Sequence, residues 1–172
     1  MQRVQQPEVG DLAGREFHPG AGLAAGCATF HLAFGQQGRG VAAQYLEGTP
    51  RQKQRAFSPA VITQGGKTVW LAGQTATEDL NHKSIVGDFD AQARTVFALL
   101  DQTLKQAGGG LRNMVTMTVF INDPRNGDRF IELRRGMFPD GKYPASALIT
   151  VSNFAQPGIL IEIQGVAVVA EK

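Results

Sequence analysis

Cysteine is nearly absent. Cys27 is the only one in 172 residues, which excludes an intramolecular disulfide and leaves any cysteine-based zinc site dependent on other chains. Histidine is scarce too, and His18, His31 and His82 lack the paired spacing of a helical metal site, so no metal is expected. No run of about 18 apolar residues exists to span a bilayer. The nearest stretch, residues 21–34, is broken by Gly22, Gly26 and His31. It also has no basic leader, because Arg15 stands beside Glu16, so neither a membrane span nor a secretory signal is expected. Charge of one sign is lacking as well: the formal net charge is +2, and basic residues are scattered except for Arg134 and Arg135. Without a cationic stripe, nucleic acid is a poor partner for this surface. A reducing, cytoplasmic setting fits these absences.

What is present is a globular composition, 42% hydrophobic and 19% charged, at a length that suits one domain. The first 50 residues hold nine of the 21 glycines and show no sustained period of either two or 3.6. Residues 1–50 are therefore expected to be a flexible extension, or a stretch read from a start set too early, with docking onto the core as the alternative. The folded domain is expected over residues 51–172.

Regular patterning begins near Ser58. Ala60 to Ile62 and Thr68 to Leu71 are two apolar runs, and Gly65 and Gly66 supply the positive φ of a hairpin turn between them. Residues 88–107 place Phe89, Ala93, Val96, Phe97, Leu100 and Leu104 at helical intervals, with Asp88 as N-cap and Gly108 to Gly110 as the stop. Residues 114–121, rich in Val, Thr and Phe, form a buried strand that ends at Asn122-Asp123-Pro124. A second helix over residues 128–138 turns Phe130, Ile131, Leu133, Met137 and Phe138 inward and Arg134 and Arg135 outward. Two more strands follow at residues 145–151 and 159–169. The order ββαβαββ describes an α+β fold with a mixed sheet and two helices on one face. Ile161, Ile163, Leu148 and Thr150 point to a second apolar face, which a domain of this size covers by oligomerising.

Four segments carry a family resemblance: Leu71-Ala72-Gly73-Gln74, Thr118-Val119-Phe120-Ile121, Tyr143-Pro144-Ala145-Ser146 and Ile161-Glu162-Ile163. Over residues 56–169 the chain resembles the RidA/YjgF family, also known as endoribonuclease L-PSP. The resemblance implies a chorismate-mutase-like fold, a homotrimer with a small-molecule pocket at each subunit interface, and hydrolysis of reactive enamines and imines without a cofactor. It implies a catalytic Glu162 that positions water, and substrate-binding positions at Gly73, Phe120, Ser146 and Leu148. Ser146 departs from the family pattern. In deaminating members an arginine at this place pairs with the substrate carboxylate. A serine brings no charge, so a carboxylate held here loses a bond worth about 1.5–3 kcal/mol.

The expected function is thus a RidA-like hydrolase whose substrate is not a simple 2-imino acid. A trimer that binds a small metabolite without turnover is the alternative, and an endoribonuclease or translation inhibitor is less favoured by the modest charge. Ser146→Arg tests the anchor directly: if the pocket is otherwise intact, activity on 2-iminopropanoate rises in a semicarbazide-trapping assay.

Overall fold

The computed structural model describes residues 41–171. In chain order these form β1 (Ala42–Tyr45), α1 (Pro50–Gln54), β2 (Val61–Gln64), β3 (Lys67–Gln74), α2 (Phe89–Gln106), β4 (Met114–Ile121), α3 (Gly127–Met137), β5 (Ala145–Thr150) and β6 (Ile161–Val169). A four-stranded sheet has the order β3-β6-β4-β5, and β1 and β2 form a separate antiparallel pair. β4 and β5 are parallel, and the crossover that parallel neighbours need contains α3. The α+β class, the mixed sheet and the ββαβαββ order from β2 onward are as expected from the sequence.

Local chemistry sets the main helix. The Asp88 carboxylate accepts from the Ala91 N–H at 2.9 Å, and Gly108, at φ 90°, takes the left-handed conformation that ends α2. Ala93, Val96, Phe97, Leu100 and Leu104 then lie along one buried stripe. They meet Met117, Val119, Ile121, Ile161 and Ile163 of the sheet in a single core. α3 joins this layer through Phe130, whose ring centroid is 6.0 Å from that of Phe97. The buried amide of Gln92 ties in the loop before β6. It donates to the carbonyls of Ile85 and Gly158 and accepts from the Leu160 N–H at 2.8 Å, so all of its burial is compensated.

The structure departs from the sequence-based expectations at four points. Among the described residues, the strand Ala42–Tyr45 already lies ahead of residue 51, and a capping box between Thr49 and Gln52 with Pro50 at the first turn opens α1. The remainder of the expected extension, residues 1–40, lies outside the described residues. Gly65 and Gly66 do adopt positive φ, 71° and 77°, yet β2 does not pair with β3 as a hairpin. β2 pairs with β1, and β3 gives its ladder to β6. The turn is held against β6 instead: a Cβ on Gly66 would stand 2.6 Å from the Val169 carbonyl oxygen.

Arg134, expected to face outward, is only 2% exposed. It sits four residues after Phe130 and three before Met137, and so falls on the same helical stripe. Finally, the second face of the sheet consists of other residues than expected. Ile161 and Ile163 are fully buried under the helices, and Leu148 packs against that same core. The register leaves Trp70, Val166, Gln164, Thr118, Ala147, Glu162, Phe120 and Ile149 on the opposite side. Trp70 is 80% exposed there.

Because Leu100 is buried between α2 and the sheet, Leu100→Ala is expected to lower unfolding stability by about 2–5 kcal/mol. A shift of the urea midpoint at constant slope checks this.

Candidate functional site

Strand parity sorts the five expected site residues into two groups. Ser146 aligns with Met117 and Leu148 with Val119, both core residues, so Ser146 and Leu148 point toward the helix layer. Phe120 aligns with Glu162 on the other face. Gly73 belongs with that second group through a bulge. Between Leu71 and Gln74, β3 carries one residue more than β6 does between Gly165 and Ile163, which sets Ala72 and Gly73 against Gln164. There the Glu162 carboxylate lies over the bare Cα of Gly73, and a Cβ at this position would stand 1.8 Å from Glu162 Oε1. Gly73 thus leaves open the space that the Glu162 carboxylate occupies. No cation of the described residues pairs with that carboxylate.

The helix-side group holds a residue that sequence reasoning placed at the surface. Arg134 Nη1 donates to Ser146 Oγ at 2.6 Å, and Nη2 donates to the Arg55 carbonyl at 2.6 Å. Its guanidinium lies 5.1 Å from the Phe130 ring centroid. Nε is buried with no partner, and among the described residues no carboxylate pairs with the group. Burial, with the Arg55 charge added to it, lowers the Arg134 pKa from the ordinary arginine value to about 10, so it remains a cation at neutral pH. Arg55, Phe57, Arg134, Ser146 and Leu148 line a cleft of about 200 Å³. A larger adjoining cleft of about 420 Å³ shares Arg55 and is lined also by Arg51, Asp128, Glu132 and Arg135.

The comparisons with known proteins agree with this architecture. The family model for Endoribonuclease L-PSP matches residues 50–169. The chain belongs to the RidA/YjgF/L-PSP family. DfrA of Myxococcus xanthus is 31% identical over 112 residues, covering 65% of this chain and 84% of its own. A RutC family protein of Pyrococcus horikoshii is 27% identical over 111 residues, 64% of this chain and 85% of its own. Among solved structures, the Rid family protein YyfB of Yersinia pestis superposes with a TM-score of 0.64 at 26% identity, covering 75% of this chain and 98% of that one. A YjgF family member from Mycobacterium tuberculosis gives a TM-score of 0.52 at 25% identity, covering 74% of this chain and all of its own.

Within this one chain of the RidA family, then, Ser146 and Leu148 share a cleft with Arg134, whereas Glu162, Gly73 and Phe120 share the far side of the sheet. Arg134 was within reach of sequence reading, since its spacing from Phe130 and Met137 puts it on the apolar stripe. Its partner was not, because Arg55 lies 79 residues away in the chain.

No described metal-binding cluster of His, Cys, Asp or Glu occurs among these residues. Gly73→Ala should move the Glu162 carboxylate and little else, because the clash falls on the far end of a flexible side chain. The expected outcome is a nearly unchanged melting temperature with a displaced Glu162, read from a crystal structure of the variant.

Proposed function

We propose that this chain is a hydrolase of reactive imines or enamines, working as a homotrimer with pockets between its subunits. The observation that carries the reading is the division of candidate groups between the two faces of one sheet. A pocket that uses both an anion-binding cleft and the Glu162 carboxylate has to draw them from different subunits. The open face bearing Trp70, Phe120, Ala147, Ile149 and Val166 supplies apolar surface for such an assembly.

The chemistry needs only a held substrate and an oriented water. Glu162 accepts a proton from water as the water oxygen bonds to the imine carbon, and the C=N electron pair moves to nitrogen, which takes that proton from Glu162. The resulting carbinolamine then passes its O–H proton through the same carboxylate to the amine nitrogen as the C–N bond breaks, releasing ammonia and leaving a carbonyl. No redox equivalent and no cofactor enter this balance. Gly73 contributes by leaving room for the carboxylate.

A second reading, a metabolite-binding trimer without turnover, is favoured by Ser146 standing where the deaminating members of the family carry arginine. One assay separates the two. Imino acids generated in situ by an amino-acid oxidase, with semicarbazide trapping the remainder, should disappear faster with the protein than with buffer. Glu162→Gln should reduce that acceleration by about a hundredfold or more, the usual contribution of a positioned general base. No acceleration with any imine tested would leave only the binding reading.

A further inference from the structure

A buried guanidinium with no carboxylate beside it is costly unless something else meets its charge. Arg134 is such a group, and the walls around it do not neutralise it. Two of its five N–H bonds go to uncharged oxygens, those of Ser146 and the Arg55 main chain. The neighbouring charged side chain is a second cation, Arg55, whose carboxylate partner Asp128 is 3.5 Å away and 94% exposed. The cleft therefore has a net positive interior.

We infer that Arg134, seated against Ser146, anchors a small carboxylate substrate in the cleft formed by Arg55, Phe57, Ser146 and Leu148. The inference rests on the hydrolase reading for its substrate, which becomes a 2-imino acid with a short apolar side chain. Ser146 accepts from Arg134 through Oγ, so its own O–H is free to donate to the same ligand. Phe57 and Leu148 provide the apolar wall of this small cleft of about 200 Å³, which suits a short side chain beside the carboxylate. The charge missing from β5 at residue 146 is thus supplied from α3, one side chain further back. This reverses the expectation that loss of the strand arginine excludes simple 2-imino acids. It also changes what Ser146→Arg should do: a new guanidinium would be driven against the existing one, so that single substitution should weaken anion binding.

The test measures binding of 2-oxobutanoate and of its uncharged amide to the full-length protein by calorimetric titration. The wild type should bind the carboxylate at least tenfold more tightly than the amide. Arg134→Met should remove that preference, a loss of about tenfold to a hundredfold for a charge-assisted pair, while Arg125→Ala at the exposed Asp123 pair leaves it unchanged. Arg134→Lys should keep part of it, and the exchange Arg134→Ser with Ser146→Arg should restore it. The melting temperature distinguishes an anchor from a strut: loss of an uncompensated buried charge should leave it level or higher, whereas a purely structural arginine would lower it.

Equal binding of carboxylate and amide by the wild type overturns the inference. So does an undiminished preference in Arg134→Met, or a lowered melting temperature in every Arg134 variant with the preference intact. If Arg134→Met does not fold, the lysine variant and the exchange carry the same comparison. Carboxylate preference without imine hydrolysis would refute the hydrolase reading alone. Hydrolysis with an unaltered KM in the exchange-free Arg134 variants would refute the anchor alone.

Discussion

The pairing of β4 with β6 governs the rest of the molecule. Side chains alternate along a strand with a period of two, so once Val119 aligns with Ile163 every neighbouring residue is committed to one face. The commitment spreads to β5 through the parallel ladder, which sends Ser146 and Leu148 to the helices and Ala147 and Ile149 to the open side. A one-residue slip would bury Glu162 and expose Ile163, an exchange that no local compensation could offset. The bulge at Ala72 and Gly73 is the place where this regularity is relaxed, and there the Glu162 carboxylate approaches the backbone.

Burial is one-sided as a result. α2 and α3 cover one face with a continuous core from Leu71 to Ala167, while Trp70 stands almost free on the other. Such a face is the surface that the proposed assembly would cover. The helices do more than cover. α3 carries Arg134 into the edge of the core, where Phe130 lies beneath its guanidinium and β5 and the end of α1 receive its hydrogen bonds. A hydrophobic residue there would pack with less desolvation cost, so the arginine is hard to account for by stability. The helix position thus brings to the cleft a charge that Ser146 on β5 does not supply.

Much of the architecture was legible in local pattern. The strand Met114–Ile121 and the helix Phe89–Gln106 with its Asp88 cap follow from spacing and end chemistry that neighbours in the chain decide among themselves. The β2–β3 hairpin failed for a different reason. Gly65 and Gly66 dictate a turn, but a turn does not decide which strands share a ladder, and β1 and β6 offered competing partners. Arg134 was placed outward on its charge, although its helical phase already set it among Phe130, Leu133 and Met137. The open face was misassigned because Ile161 and Ile163 look alike whichever side they occupy.

By itself, the sequence determined the α+β order, the family and the ends of the long helix. These depend on contacts between residues a few positions apart. Only the tertiary structure decided that Ser146 meets Arg134 and that Glu162 meets Gly73, because the first pair depends on how α3 docks on β5 and the second on a bulge in the pairing of β3 with β6. Side-chain phase within one element is local physics; which phase meets which across a ladder or a helix contact is settled only when the whole core closes.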